Sequence, residues 1–211
     1  MKDRCIIIAG GDADIFALRG FITENDYIIA ADSGYRYCNN LEVIPDLLVG
    51  DFDSYNDIIP NNIEVHRLPC VKDDTDLLYA SRCAVDKKFK NIVIFGGYGS
   101  RPDQNLAMLQ TLFWIKNNTE NTEASAICNG FEICALKNEK ATFITNSNRY
   151  LSVFTFGAVA KGVSILGADY ELKNASLSPD CPLGVSNCAE GSVEISVENG
   201  FVCVMFVDKS I

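Results

Sequence analysis

The sequence predicts two domains: an α/β N-terminal domain with a mostly parallel sheet and a C-terminal all-β sandwich domain. In the first half, apolar segments alternate with helical segments, which is typical of a parallel sheet covered by helices. From Ala141 onward, strand-like segments follow one another without helices, as in an antiparallel sandwich or barrel-like domain. A polar stretch at residues 137–140 separates the two patterns, so we expect domains at residues 1–138 and 139–211.

Five strands alternating with four helices are expected in the N-terminal domain before about residue 120. Its strand segments are short apolar runs, typical of strands that are covered on both faces. The predicted strands are residues 5–9, 27–31, 47–49, 63–68 and 91–95. The predicted helices are residues 14–21, 33–40, 76–89 and 103–115, and Ser33 is expected to cap the second of them.

The β-rich part of the chain contains two Asn-Gly pairs, Asn129-Gly130 and Asn199-Gly200, which predict hairpin turns. Strands are expected on either side of these turns and between them. They are residues 124–127, 131–136, 142–144, 150–156, 163–166, 169–172, 192–197 and 201–207.

Composition narrows the classes of partner and compartment. A formal charge of −10 argues against nucleic acid or an anionic membrane as the main partner. The nine cysteines are odd in number, scattered and without a Cys-x-x-Cys pair, which favours a reducing, cytoplasmic location. No stretch approaches the roughly 20 apolar residues of a transmembrane helix, and the N-terminal apolar run is too short for a signal peptide. His66 is the only histidine and lies in a predicted strand, so no Ser/His/Asp triad is indicated.

Acidic residues follow the ends of the predicted parallel strands. All strands of a parallel sheet end at the same edge, which is where open α/β sheets bind ligands. We therefore expect one acidic edge, formed by Asp12, Asp32, Asp51, Asp53, Asp73, Asp76 and Asp103.

Two of these carboxylates, in Gly50-Asp51-Phe52-Asp53-Ser54, are two residues apart. In an extended backbone Asp51 and Asp53 would point to the same side. At about 4 Å and an effective dielectric near 20, their repulsion would be roughly 4 kcal/mol, so a cation or a proton is expected between them. The alternative is a polar turn after a strand. Magnesium suits the first interpretation because it takes oxygen ligands and is usually shared with substrate phosphates.

Glycine-rich loops at residues 10–11 and 96–99 would let backbone amides approach phosphate oxygens. Neither loop matches Gly-x-Gly-x-x-Gly or the P-loop pattern. Arg101 would bind phosphate through two hydrogen bonds. Structural alternatives exist for each residue: Asp73 and Asp76 also suit a helix N-terminus, and Arg101 also suits an exposed surface. Taken together with their position after strands, these residues favour a metal–phosphate site.

Six short motifs, taken in order, resemble the thiamine pyrophosphokinase family over nearly the whole chain. They are Ala31-Asp32-Ser33-Gly34, Pro45-Asp46 leading to Gly50-Asp51-Phe52-Asp53-Ser54, Lys72-Asp73-x-Thr75-Asp76, Gly99-Ser100-Arg101-x-Asp103, Gly167-x-x-Tyr170-x-Leu172 and Gly184-Val185-Ser186-Asn187.

The resemblance implies a Mg-ATP-binding N-terminal domain, a thiamine-binding C-terminal sandwich, and a homodimer with active sites between subunits. It further implies roles for single residues. Magnesium and the triphosphate would be handled by Asp51, Asp53, Asp73 and Asp76. The nucleotide would be bound by Gly11, Asp32, Ser33, Lys72, Thr75, Arg101 and Asp103. Thiamine would be met by Tyr170, Ser186 and Asn187.

The chain departs from the family pattern at two positions. Gln104 stands where the family commonly has His, and glutamine cannot exchange a proton near neutral pH. Asp169 stands where the family commonly has Lys. Both substitutions leave details of substrate contact open.

The expected reaction is transfer of diphosphate from ATP to the hydroxyl of thiamine, giving thiamine diphosphate and AMP. Asp51, Asp73, Asp76 and Arg101 are the expected catalytic residues. A carboxylate such as Asp73 could accept the proton of the alcohol, and the sequence does not single one out. One alternative keeps the reaction and changes the acceptor to another heterocyclic alcohol. The other is a non-catalytic Mg-nucleotide sensor.

Overall fold

The computed structural model describes residues 2–52, 62–69 and 74–210. The chain divides into two compact units, Met1–Asn129 and Gly130–Ile211. The division falls nine residues before the expected boundary between residues 138 and 139.

The first unit contains a parallel sheet, as predicted. Its strands lie in the order β6-β5-β1-β2-β3-β4, and all five neighbouring pairs are parallel. The strands are β1 (Arg4–Ile8), β2 (Asp26–Ala31), β3 (Leu47–Gly50), β4 (Glu64–Arg67), β5 (Asn91–Phe95) and β6 (Glu123–Cys128). The expected α/β class with a mostly parallel sheet is therefore confirmed for this unit.

Four helices connect the strands of the described part of this unit: α1 (Ile15–Phe21), α2 (Tyr35–Leu41), α3 (Asp76–Asp86) and α4 (Pro102–Asn118). Asp14 caps α1 by accepting hydrogen bonds from the amides of Phe16 and Ala17, at 2.8 and 3.2 Å. The expected cap at Ser33 is wrong. Asp32–Gly34 instead form a short 3₁₀ turn, and no side chain caps α2.

The central strand β1 shows why the strands of this unit are continuous apolar runs in the sequence. Ile6, Ile7 and Ile8 are all fully buried, because both faces of the strand are covered. Burying such a side chain stabilises the fold by about 1.5–3 kcal/mol. Gly34 lies so close to the end of this strand that a Cβ there would overlap the carbonyl oxygen of Ile8.

The second unit is antiparallel and β-rich, as predicted. One set of strands has the order β12-β9-β14-β7, and the other has the order β11-β10-β13-β8. These strands are β7 (Phe131–Lys137), β8 (Lys140–Thr145), β9 (Arg149–Phe154), β10 (Ala160–Leu166), β11 (Leu172–Leu177), β12 (Gly184–Asn187), β13 (Gly191–Ser196) and β14 (Phe201–Asp208).

Alternating apolar residues from both sets meet in one core. Val163 and Ile165 of β10 and Val193 of β13 pack in the same buried cluster as Leu151 of β9 and Val204 of β14. The spacing of two residues within a strand places these side chains on one face.

The predicted strand at residues 169–172 is wrong for most of its length. Residues 167–170 form bends, and β11 begins only at Leu172. Gly167 has a φ of +84°, and the backbone N–H and C=O of Tyr170 are bonded to the side chain of Asn187. These backbone groups are therefore not available for strand pairing.

Within the described residues, none of the helices combines the length and the apolar character needed to cross a membrane.

Candidate functional site

A cavity of about 570 Å³ lies in the first unit, where the loops after β1, β2, β3 and β5 meet the start of α3. These loops all follow the carboxyl ends of parallel strands, so the cavity occupies the edge where such sheets bind ligands. Seven of the predicted site residues line it: Gly11, Asp32, Ser33, Asp51, Thr75, Asp76 and Arg101. The predicted residues Asp53, Lys72 and Asp73 lie outside the described residues.

The loops after β1 and β5 are joined backbone to backbone. The amide of Gly11 donates to the carbonyl of Gly96 at 2.8 Å, and the amide of Asp12 donates to the carbonyl of Tyr98 at 2.7 Å. A Cβ on Gly11 would lie only 2.5 Å from the Tyr98 carbonyl oxygen, so a side chain there would separate the loops. The hydroxyl of Tyr37 donates to the Gly11 carbonyl at 2.7 Å from the other side.

Asn105 fixes the remainder of the loop that follows β5. Its side-chain oxygen, Oδ1, accepts a hydrogen bond from the backbone amide of Gly99 at 2.9 Å, and its side-chain NH2 group donates to the carbonyl of Gly99 at 2.9 Å. Asn105 is buried near the start of α4 and also lines the cavity. Sequence reasoning missed Asn105, because an asparagine inside a helix carries no local sign of a partner in the preceding loop.

Asp32 and Asp51 approach the cavity from neighbouring strands, β2 and β3. Asp32 has a left-handed backbone with a φ of +46°, which a short polar residue tolerates better than most. Gly50 permits the close approach, since a Cβ there would lie 3.1 Å from the Cα of Asp32.

The expectation of an extended backbone between Asp51 and Asp53 is wrong at Phe52. Phe52 has a φ of +57°, so the chain turns there instead of continuing the strand. A left-handed conformation costs roughly 1–2 kcal/mol for an ordinary residue. The Phe52 side chain is buried in the core, with the guanidinium of Arg67 5.4 Å from its ring centroid, and this burial offsets the cost. The extended backbone on which the pairing of Asp51 with Asp53 was predicted is thus absent at Phe52, and Asp53 itself lies outside the described residues.

The N-terminus of α3 supplies another wall of the cavity. Thr75 caps the helix by accepting from the amide of Leu78 at 3.1 Å, and Asp76 occupies the first turn. This helix end favours anions, which include both a carboxylate and a phosphate. Asp74, which sequence reasoning did not single out, lines the cavity and forms an ion pair with Arg82 at 2.9 Å.

Arg101 and Asp103 form a two-point ion pair at the rim. The distances are 2.6 Å from Nη2 to Oδ2 and 3.3 Å from Nε to Oδ1. Both side chains are about two-thirds exposed, at 68% and 65%. The hydrogen bond from Arg101 lowers the pKa of Asp103, and the same bond raises the pKa of Arg101. Unlike Arg101, Asp103 does not line the cavity. The guanidinium fork is thus exposed and already shaped to hold two oxygen atoms.

The donor set of the cavity suits a hard divalent cation. Asp32, Asp51 and Asp76 all line the cavity, and oxygen ligands are those that magnesium takes. Among the described residues, no three acidic, histidine or cysteine side chains are grouped closely enough to hold a metal by themselves. Asp53 and Asp73, two of the predicted ligands, fall outside that search.

The predicted thiamine residues lie in the second unit, where the structure brings Tyr170 and Asn187 together. Asn187 is buried, and its side-chain oxygen, Oδ1, accepts hydrogen bonds from the backbone amides of Tyr170 and Cys188 at 3.0 and 2.9 Å. Its side-chain amide donates to the carbonyl of Tyr170 at 2.7 Å. Asn187 therefore holds the backbone of Tyr170, whose side chain is 78% exposed.

Ser186 precedes Asn187 in a left-handed conformation with a φ of +58°. Its amide donates to the hydroxyl of Ser152 on β9 at 3.0 Å, and its side chain is exposed. Ser186 is thus presented by the irregular edge strand β12, where the register with β9 shifts.

Comparison with known proteins covers both units. The family described as "Thiamin pyrophosphokinase, catalytic domain" matches residues 18–123, and "Thiamin pyrophosphokinase, vitamin B1 binding domain" matches residues 136–202. The thiamine pyrophosphokinase of Bacillus subtilis (strain 168) is 29% identical over 188 residues, which cover 86% of this chain and 87% of that protein.

Solved structures share the fold. The crystal structure of thiamine pyrophosphokinase from Bacillus subtilis has a TM-score of 0.86 at 23% identity and covers 97% of this chain and 99% of its own. That of thiamin pyrophosphokinase from Geobacillus thermodenitrificans has a TM-score of 0.83 at 21% identity and covers 98% of each chain. Together with the matched domains, these similarities show that the chain belongs to the thiamin pyrophosphokinase family of ATP-using diphosphotransferases.

Proposed function

We propose that this enzyme transfers the terminal diphosphate of ATP to the hydroxyl of thiamine, giving thiamine diphosphate and AMP, with magnesium as its cation. The observation that carries the proposal is the cavity at the edge of the parallel sheet. It combines carboxylates, closely packed glycine loops and an exposed arginine in a chain of this family.

The triphosphate would lie against the loops at Gly11 and Gly99, both of which line the cavity, and the lack of a Cβ at Gly11 lets these two loops pack closely enough to form one wall. Arg101 would exchange its carboxylate partner, Asp103, for two phosphate oxygens. This exchange costs little because the ion pair is exposed and has the same two-oxygen geometry. Asp32, Ser33, Lys72 and Thr75 complete the proposed nucleotide contacts.

Asp51 and Asp76, with Asp53 and Asp73, would hold magnesium. The bound cation would neutralise charge on the transferred group. The acceptor hydroxyl would attack the β-phosphorus in line with the departing AMP, so the work of the residues is alignment and charge compensation. One of these carboxylates, such as Asp73, is the proposed acceptor of the hydroxyl proton.

In the second unit we propose a β-sandwich that binds thiamine, with Tyr170 as an aromatic wall and Ser186 as a polar contact. The exposure of the Tyr170 ring supports this role. Asn187 would act through the backbone of Tyr170. We further propose a homodimer with active sites between subunits. A cytoplasmic location is supported by the eight cysteines of the described residues, none of which forms a disulfide.

Thiamine is tested against the runner-up, another heterocyclic alcohol, with an acceptor panel at fixed Mg-ATP. The panel is needed because the chain differs from the family pattern at Gln104 and Asp169. Of these two residues, Gln104 lines the cavity. The highest kcat/KM for thiamine supports the proposal, whereas a higher value for a different alcohol overturns the substrate. Binding of ATP without any turnover would favour the sensor.

The metal assignment is tested with Asp51→Asn and Asp73→Asn. Because each replaces a proposed carboxylate ligand, we expect kcat to fall on the order of a hundredfold or more. Asp86→Asn, at the exposed end of α3, is the matched control and should keep normal turnover. Near-normal activity of Asp51→Asn or Asp73→Asn would remove that residue from the site.

A further inference from the structure

A second cluster of reactive groups lies in the first unit between β4 and α3. Nε2 of His66 is 2.9 Å from a carboxylate oxygen of Glu64, and Nδ1 of His66 is 3.8 Å from the sulfur of Cys83. Glu64 and His66 are on β4, and Cys83 is on α3. None of the three lines the cavity described above.

The contacts of His66 define which nitrogen can take a proton. An ionised carboxylate can only accept hydrogen bonds, so Nε2 of His66 is protonated and donates a hydrogen bond to Glu64. In the neutral ring Nδ1 is then the acceptor, and it faces the Cys83 thiol. A thiol, a base and a carboxylate that orients the base form the arrangement that activates a nucleophile in many proteins.

Burial makes the base necessary. Burial, and next the charge of Asp86, raise the pKa of the Cys83 thiol, so little thiolate would form without a proton acceptor. The side chain of His66 is only 35% exposed and touches the ring of Tyr79 edge-on, at 6.0 Å between centroids. The imidazole is therefore held beside the sulfur. Cys83 itself is only half-buried.

We propose that Cys83 is a modification site for small-molecule disulfides, with His66 as its base and Glu64 as the group that orients His66. The Cys83 sulfur attacks one sulfur of the disulfide and forms a mixed disulfide while the original S–S bond breaks. His66 Nδ1 takes the thiol proton, and the displaced thiolate is then protonated. Cys83 is oxidised and half of the reagent is reduced, so no other oxidant is required.

The proposal is tested with oxidised glutathione on the folded full-length protein. Remaining thiols are trapped in acid, and adducts are quantified by peptide-resolved mass spectrometry. Three variants are compared with the native chain: His66→Phe, which keeps a ring against Tyr79 but removes the base; Glu64→Gln, which keeps an acceptor without the charge; and Tyr79→Phe. The last removes a hydroxyl that lies 3.5 Å from Nδ1 and competes for it.

We expect an adduct on Cys83 that dithiothreitol removes, and a fall in its rate on the order of a hundredfold in His66→Phe. Glu64→Gln should show a smaller fall, and Tyr79→Phe an unchanged or faster rate. Cys181, exposed in the second unit, provides an internal reference whose rate should be the same in all four proteins.

Four results would overturn the proposal: no adduct on native Cys83 while Cys181 reacts, an unchanged Cys83 rate in His66→Phe, an unchanged Cys83 rate in Glu64→Gln, or slower reaction in Tyr79→Phe. Slower reaction in Tyr79→Phe would mean that Nδ1 of His66 is paired with the Tyr79 hydroxyl and does not act as the base for Cys83. The Tyr79→Phe and Glu64→Gln arms decide the question even if His66→Phe does not fold.

Discussion

Asn105 holds Gly99 by two hydrogen bonds of 2.9 Å, one to the amide and one to the carbonyl of the same residue. This bond pair ties the first turns of α4 to the loop that lines the proposed nucleotide site. The same buried side chain thus serves the helix and the loop.

Replacing Asn105 by Ala should loosen that loop. Gly99 would lose both side-chain partners, and because this backbone is only part-buried the cost should be at most about 1–3 kcal/mol. We expect kcat/KM for ATP to fall roughly tenfold or more because the loop loses its fixed geometry. Steady-state kinetics together with thermal unfolding measure both effects. Asn91→Ala is the control, because Asn91 bonds to the side chain of Glu123 at an exposed position away from the cavity. Equal kinetics in the two variants would contradict the role of Asn105.

Gly34→Ala should destabilise the first unit. The added Cβ would overlap the carbonyl oxygen of Ile8, and overpacking of this kind costs about 1–3 kcal/mol. Gly20→Ala is the matched control, because nothing lies within 4 Å of a Cβ there and α1 is helical at that residue. The control should gain roughly 0.5–1 kcal/mol. Urea unfolding measures both, and a Gly34→Ala protein as stable as the native chain would contradict the close packing.

Arg101→Ala should impair nucleotide use and leave stability almost unchanged. The ion pair with Asp103 is exposed, so its loss should shift the unfolding midpoint very little. The loss of a two-point phosphate contact should lower kcat/KM for ATP by about tenfold or more. Arg19→Ala, on the exposed end of α1, controls for the removal of a positive charge. If Arg101→Ala keeps the native kcat/KM, Arg101 does not contact the nucleotide.

Asp26 should make stability depend on acid pH. Burial raises the pKa of Asp26, but hydrogen bonds from Arg4 and Thr23 outweigh it and hold that pKa below the usual 3.8. A carboxylate with a lowered pKa adds stability above its unfolded pKa and loses it as pH falls through the folded pKa. Asp26→Asn should therefore be less stable than the native chain at pH 7, and the difference should shrink below about pH 4. Unfolding free energies of both proteins from pH 7 to pH 3 test this, and a constant difference would contradict it.

Much of the sheet could be predicted because burial on both faces leaves a local pattern. Ile6, Ile7 and Ile8 are consecutive and fully buried, so the strand is visible in the sequence itself. The loops that follow parallel strands meet at one edge by topology alone. This is why Asp32, Asp51 and Asp76 could be expected near one another before any contact was known.

The missed features depend on contacts between distant residues. Phe52 has a left-handed backbone and a ring that is buried in the core, and the residues beside it in the sequence do not predict that conformation. Asn187 bonds to Tyr170 across 17 positions of sequence, which removes that residue's backbone from strand pairing. His66 and Cys83 are likewise 17 positions apart and belong to different elements. Only the folded chain brings these pairs together.

We propose that the first unit positions ATP for attack at its β-phosphorus. The most direct measurement is the identity of the products after incubation of the purified protein with Mg-ATP and thiamine. Equal amounts of AMP and thiamine diphosphate are expected. ADP with thiamine monophosphate would contradict the proposal, because those products require attack at the γ-phosphorus.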